Sequence, residues 1–463
     1  MTSSTWSNWR NLRRMRRLVL VVVLCFVAGA CASSKSTSGS SNTTTPASLP
    51  HKTGMGAGVT ANQINLGVVL IDFKCIPDQF VDEERPDQQK AYDAFINDIN
   101  AKGGINGRMI KPFYKTICPL DPNNALTACT AFADDDNVFA VVGDFGDPTG
   151  NAPLCMTKTK HRVLLTYEVT QDMENKAPPG LLLTPDITPD RKVKVLMALL
   201  KSQHALDGKT VAILGSSDAN EEINNAIEPG LKAHGVKRGS TGIVTVTSTD
   251  TTAAQQQLDG FIEKWRTEGV NALVLAGTSI ETRPFIDKVR AAFPNMTIVS
   301  DSTAPLEGGQ AEVKNNTTPN AFKGIITAEG LTGLQHTKTP HFTQCKTIFE
   351  AQTHITVPSP NDVIKLPDGR KNNIYGEEED ACVFIKMFAT IASKVGADLN
   401  NQNWTTTVNN YGPIDIQSTN FASLHTGKYD ADDTYGLVEF DPTIPKSGDW
   451  KPLTQVQNVG NTG

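Results

Sequence analysis

The run Ile64-Asn-Leu-Gly-Val-Val-Leu-Ile71 is apolar, unbroken and of strand length, which fits a strand buried on both faces of a parallel sheet. Behind it, Lys90 to Lys102 changes to helical spacing, with Ala91, Ala94, Phe95 and Ile99 on one face, and Gly103-Gly104 stops the helix. The alternation continues: strand Met109 to Ile117, helix Asn124 to Ala133, strand Val138 to Val142, a Gly/Pro loop from Gly143 to Gly150, and strand Val163 to Leu165. Past Pro178-Pro179-Gly180 and Pro185 it resumes with helix Arg191 to Leu200, strand Thr210 to Leu214, helix Glu221 to His234 and strand Gly242 to Thr247. Helix Ala253 to Thr267, strand Ala272 to Leu275, helix Arg283 to Phe293 and strand Thr297 to Val299 complete it. Strands alternating with helices of this length predict an α/β fold with two similar parallel-sheet lobes, each sheet covered on both faces. Such sheets bind ligands at the carboxyl ends of their strands.

The amino terminus has a different character. Five arginines lie within Met1 to Arg17, and an apolar run from Leu18 leads to the small residues Ala28-Gly29-Ala30-Cys31. The run is shorter than the roughly twenty residues a membrane-spanning helix needs, so 1–30 reads as a secretory signal. Ala28-Gly29-Ala30-Cys31 resembles a bacterial lipoprotein signal, which implies a lipid on Cys31. Residues 31–57 are rich in Ser, Thr and Gly and predict a disordered tether. As a random coil of about 25 residues it reaches roughly 25–30 Å. The expected location is therefore outside the cytoplasm, at the outer face of the membrane.

Charge excludes some partners. The signal carries five arginines and no acid, so its loss takes the net charge from −6 to −11. That argues against nucleic acid and against electrostatic docking on anionic lipid. Cys75, Cys118, Cys129, Cys155, Cys345 and Cys382 remain beyond Cys25 and Cys31. An even count in an exported protein reads as disulfides, and their spacing alone leaves all pairings open.

Three segments together carry a family resemblance. Gly58-Val-Thr-Ala-Asn-Gln-Ile-Asn-Leu-Gly67, Ile99-Asn-Ala-Lys-Gly-Gly-Ile-Asn-Gly-Arg108 and Asn137-Val-Phe-Ala-Val-Val-Gly143 resemble the type I periplasmic solute-binding proteins of ATP-driven importers, the leucine/isoleucine/valine-binding group. The resemblance implies two Rossmann-like lobes joined by a three-segment hinge, with crossings near Leu182, Thr327 and Ala431. Lobe 1 is then 58–182 with 328–431, and lobe 2 is 183–327 with 432–463. It implies the pairs Cys75–Cys118, Cys129–Cys155 and Cys345–Cys382, all within lobe 1. It implies a small-molecule ligand, an ABC permease as partner, and no catalysis, cofactor or metal.

Candidate ligand contacts follow from the strand-end loops. In lobe 1 they are Asp72, Phe73, Phe145, Gly146, Asp147, Thr149, Thr166, Tyr167 and Glu168; in lobe 2, Ser216, Asp218, Asn220, Thr278 and Asp301. Thr149 and the Gly146 backbone are the nearest equivalents of the family's carboxylate-binding loop. Ser, Thr, Asp and Asn also cap helices, which is the plain alternative for each. Asp147 intrudes where an amino-acid binder offers hydroxyls, and with Glu168, Asp218 and Asp301 it points to a cationic or polyhydroxylated ligand. Gly208-Lys209-Thr210 lacks the earlier glycine of a phosphate loop and leads into a strand. His336 and His341 read as solvated loop residues, and Glu377 to Asp380 as acids favoured by a helix start. The rival readings are a sensor of the same fold coupled to a membrane signalling partner, and an exported enzyme on this scaffold.

Overall fold

The computed structural model describes residues 50–76, 83–147, 149–217, 219–246, 252–277, 279–360, 362, 364–416, 418–445 and 448–462. The signal, Cys31, most of the tether, Asp218 and Thr278 lie outside the described residues.

Five parallel strands form the first sheet: β1 (Gln63–Ile71), β2 (Met109–Ile117), β3 (Ala140–Val142), β4 (Val163–Leu165) and β5 (Leu182–Leu183), in the order β2-β1-β3-β4-β5. Alternation along β1 explains its apolar run. Ile64, Leu66, Val68 and Leu70 face Phe95, Phe384, Phe388 and Trp404 on one side. Val69 faces Phe132, Val141 and Met156 on the other. Gly67 is required by packing, because a Cβ there would stand 2.8 Å from both the Phe132 ring and Val141. Asn106 and Gly107 both take positive φ, 50° and 81°, in the tight turn that bridges Ile105 to Arg108 and starts β2.

The second sheet contains β6 (Thr210–Ser216), β7 (Lys237–Val244), β8 (Ala272–Ala276), β9 (Thr297–Ser300), β10 (Ile326–Glu329), β11 (Thr434–Asp441) and β12 (Asp449–Pro452). Their order is β12-β11-β10-β9-β8-β6-β7, with only the β10–β11 and β11–β12 pairs antiparallel. Val211 and Ile213 pack under helix Pro189–Ser202, while Ala212 and Leu214 pack with Ile262 and Trp265 of helix Thr252–Glu268. Each lobe is thus a sheet with apolar cores on both faces, the two-lobe architecture of type I periplasmic binding proteins.

Some expectations shift. The strand expected from Gly242 begins at Lys237, and Thr247 lies outside the described residues. Lys237 and Arg238 hid it; charges of this kind suit the edge position that β7 holds. Helix Glu221–His234 is interrupted by a wide turn over Ile223–Ile227. The tether is shorter than composition implied, because 52–56 are pinned to the first lobe. Lys52 N donates to Asn403 Oδ1 at 2.9 Å, Gly54 N to Asp398 Oδ1 at 2.8 Å, and Gly56 N to Leu399 O at 2.8 Å. Polar side chains distant in sequence satisfy that backbone, which composition cannot reveal.

All three disulfides are present in the pairs the family topology implies: Cys75–Cys118, Cys129–Cys155 and Cys345–Cys382. The first ties the carboxyl ends of β1 and β2, and the third ties helix Pro340–Thr353 to the long helix Ile374–Val395.

The chain passes between the sheets after β5, after β10 and before β11. At the first and third passages Thr184 bridges to Asp430, with Ala431 N donating to Thr184 O at 2.8 Å. Arg191 reaches across, its Nε 2.7 Å from Asp430 and its Nη1 3.1 Å from Asp433, and Lys428 Nζ is 3.1 Å from Asp433. All four side chains are buried. Removing one partner from such a network strands a buried charge. Asp430→Asn is therefore expected to lower the unfolding free energy by about 3–5 kcal/mol, read by denaturant titration; a loss no larger than that of a surface ion pair would contradict it.

Candidate functional site

Parallel strands bring the loops after β1, β3, β4 and β5 to one edge of the first sheet. Most of the acids there serve their own backbone. Asp72 accepts from Lys74 N at 3.0 Å and caps the turn Phe73–Cys75. Asp147, 6% exposed, accepts from Thr149 N at 3.0 Å and from Ala152 N at 2.7 Å, and also takes the Thr149 hydroxyl. Gly146 N donates to Asp144 Oδ1 at 2.9 Å. Phe145 is 1% exposed in the apolar core, so its ring offers no face to a ligand. In the second lobe, Asp301 accepts from Gly277 N at 2.7 Å, Asn220 Nδ2 donates to Ser217 O at 2.8 Å, and Ser216 is 1% exposed with its hydroxyl toward Ala276 O. Asp72 thus caps its own turn, and Asp147, Asn220 and Asp301 serve neighbouring backbone groups.

Phe73, Thr166, Tyr167 and Glu168 are brought together with residues that sequence reading missed. The Arg85 guanidinium lies over the Phe73 ring at 5.2 Å, and donates to Glu83 Oε1 at 3.2 Å and to Asp380 Oδ2. Tyr167 Oη donates to the other oxygen of Asp380 at 3.1 Å, with its ring 4.7 Å from Phe384. His336 Nδ1 shares a hydrogen bond with Tyr375 Oη at 2.7 Å and lies 3.4 Å from Glu379 Oε1. Across from these, Asp186 stands exposed just past the first passage, with Tyr435 Oη 3.3 Å from it. Lys192 reaches Glu329 at 3.6 Å.

The electrostatics are lopsided. Burial, and then Asp144 and Asp147, push Glu168 up to about 7. Burial, and then Asp380, push Glu379 up to about 7. Desolvation by the surrounding protein raises Asp144 and also Asp186, whose side chain is solvent-accessible but closely flanked by both lobes' residues, although the Gly146 N–H opposes the first and Lys192 the second. Burial alone would lower Arg85, yet Asp380 and Glu83 carry it above its ordinary range. Carboxyls outnumber the cations here, and the cations already have carboxylate partners.

Two expectations about this region are corrected. His336 is 5% exposed, held between Tyr375 and Glu379 rather than solvated. The run Glu377 to Asp380 lies inside a helix that begins at Ile374, where Glu377 and Glu378 are 2% and 0% exposed. Glu377 does lie in the first turn, as expected, and its Oε1 also accepts from Asp87 N at 2.7 Å, which fastens the start of helix Gln88–Ala101. The surface hollows at Asn224, Glu228 and Arg238 and at Lys90, Asn97 and Gln352 include none of the strand-end residues.

A fold with two β/α lobes and facing strand-end loops defines a class of extracytoplasmic solute receptors. Residues 83–340 match the model of the periplasmic binding protein family, and the chain belongs to that family. Among solved structures, an ABC transporter substrate-binding protein from Desulfitobacterium hafniense is 14% identical, with a TM-score of 0.58 over 85% of this chain and 100% of that one. A fatty acid ABC transporter substrate-binding protein from Thermomonospora curvata is 13% identical, with a TM-score of 0.54 over 88% of this chain and 95% of that one. A solute-binding protein from Rhodopseudomonas palustris BisB5, in complex with 3,4-dihydroxybenzoic acid, is 10% identical, with a TM-score of 0.53 over 86% and 98%. No curated protein matches by sequence.

Glu378 supplies a stability test. Its two oxygens have no hydrogen-bond partner, and burial followed by Glu379 pushes it up to about 9 from 4.5. A carboxyl whose folded pKa lies above its unfolded one binds a proton on folding, so its penalty is absent below pH 4.5 and grows as pH rises toward about 9. Glu378→Gln is expected to raise Tm at about pH 8, with a gain that shrinks toward about pH 5. Equal gains at both values in a thermal-shift series would contradict this assignment.

Proposed function

We propose that the protein is an extracytoplasmic, lipid-anchored solute receptor that encloses a small polar molecule between lobe 1 (58–182 with 328–431) and lobe 2 (183–327 with 432–463), and delivers it to an ABC-type permease without catalysing a reaction. What carries the reading is the meeting of Tyr167 and the Arg85–Asp380 pair, on lobe 1, with Asp186 just beyond the first passage. Asp186 lies close enough to Tyr167 and Glu379 to act on the ionisation of both. Each lobe has its own core, so closure needs rotation only at three short segments. The solved structures similar to this chain are named as ABC transporter components, including one from Rhodospirillum rubrum described as a putative branched-chain amino acid transporter. Thr166, Tyr167, Glu168 and Phe73 are the ligand contacts we retain from the sequence.

Two measurements test this reading. X-ray scattering of the purified protein is expected to show a smaller radius of gyration with the solute that co-purifies, identified by mass spectrometry, than after its removal. An unchanged profile would count against enclosure. Cys31→Ser is expected to move the protein from the membrane fraction to the soluble fraction; retention on the membrane would overturn the lipid anchor.

A further inference from the structure

We propose that the solute is an organic cation, a protonated amine or quaternary ammonium without a carboxylate, held by Asp144, Glu168, Glu379 and Asp186. This rests on the solute-capture reading and names the class of ligand for that same site.

The loop after β3 argues first. Its N–H groups are already donated: Gly146 N to Asp144 at 2.9 Å, and Thr149 N and Ala152 N to Asp147 at 3.0 and 2.7 Å. The chain's own carboxylates fill the place where an anionic group of a ligand would seek those donors. An incoming carboxylate would have to displace Asp147, which is 6% exposed and capped from both oxygens.

The cations argue second. Arg85 is committed to Asp380, to Glu83 at 3.2 Å and to the Phe73 face at 5.2 Å. Lys192 faces Glu329 at 3.6 Å. Neither leaves a charge to meet a carboxylate, whereas Asp144, Glu168 and Asp186 have no ion-pair partner among the described residues. A third, independent observation is Thr166. It is 1% exposed, its hydroxyl makes no hydrogen bond of normal geometry, and it stands beside the Asp144 carboxyl. A buried hydroxyl in this position calls for a further partner, which a ligand or an ordered water supplies. An ammonium N–H donor fits that hydroxyl oxygen and the Asp144 carboxylate together.

The test is a thermal-shift and calorimetric panel on the full chain in detergent, stripped of bound solute, with 1,4-diaminobutane, choline, leucine, 4-hydroxybenzoate and glucose as probes. The expected result is stabilisation by 1,4-diaminobutane or choline at millimolar concentration and none by leucine or 4-hydroxybenzoate. Glu168→Gln is expected to weaken that binding about tenfold, equivalent to about 1.4 kcal/mol, while the unliganded variant stays folded with a Tm at about pH 8 no lower than that of the native chain. Asp144→Asn serves as a second variant with the same expectation for affinity. Stabilisation by leucine, 4-hydroxybenzoate or glucose without a response to either cation overturns the ligand class and leaves solute capture standing. Cation binding that is indifferent to both substitutions overturns the site. Silence from every probe overturns the class, and scattering with the co-purified solute then decides capture separately.

Discussion

The buried guanidinium of Arg191 holds the molecule's geometry together. It projects from the first helix after the chain leaves β5 and meets Asp430 and Asp433 on the segment that leads into β11. Burial alone would lower its pKa; Asp430 and Asp433 outweigh that, and it ends above its ordinary range. Lys428 brings a second positive charge, so two cations face two carboxylates in a dry site. Buried pairs of this kind contribute little net stability, because desolvation offsets most of the attraction. What they give here is register. Thr188 N also donates to Asp430, at 2.9 Å, and the Thr184–Asp430 bridge aligns the two passages side by side. Without that alignment the two sheets would be connected but not oriented.

On either side of this joint, the reinforcement is unequal. All three disulfides lie in the first lobe, closing loops with sequence separations of 43, 26 and 37. Cys75–Cys118 fixes the loops just after β1 and β2, beside Phe73 and the carbonyls that receive Arg370. Restricting the unfolded chain stabilises this lobe, and the same links hold the strand-end loops in place before any solute arrives. The second lobe has no disulfide among the described residues, and Trp265 and Phe285 are fully buried at its centre.

The sheets were legible in the sequence because β1 and β6 are buried on both faces and read as unbroken apolar runs. Helix Gln88–Ala101 was legible for a different reason: its apolar stripe and its Gly103-Gly104 stop are both local signals. The site was largely hidden. Asp147 and Glu168 are carboxylates in successive strand-end loops, yet one is tied to its own backbone and the other is exposed, and only tertiary structure separates them. Arg85 sits in an unremarkable Glu-Glu-Arg-Pro stretch, and its partner Asp380 comes 295 residues later. One local signal was available and was misread. Helix Ile374–Val395 is apolar on nearly every side, with Ala381, Val383, Phe384 and Ile385 all buried. Four acids inside so apolar a helix cannot all reach water, so some must be buried, protonated or paired.

The joint and the opening differ in how their carboxyls are paired, and the difference supports the proposed site. At the joint, Asp430 and Asp433 each have a cation within about 4 Å, while Glu174 beside them has none and is pushed up to about 8 by burial and then by Asp430. At the opening, Glu168 and Glu379 are pushed up to about 7 by burial and by neighbouring acids, with no cation spare to relieve them. Carboxyls left close together and unpaired raise the free energy of the unliganded state, and that cost is recovered only when something from outside enters among them. At the opening the carboxyls without a cation lie beside the first passage, while Asp430 and Asp433 at the joint are paired with Arg191 and Lys428. Solute and hinge are thereby separated: ligand charge alters the balance in the opening, while the alignment of the passages stays fixed by Arg191.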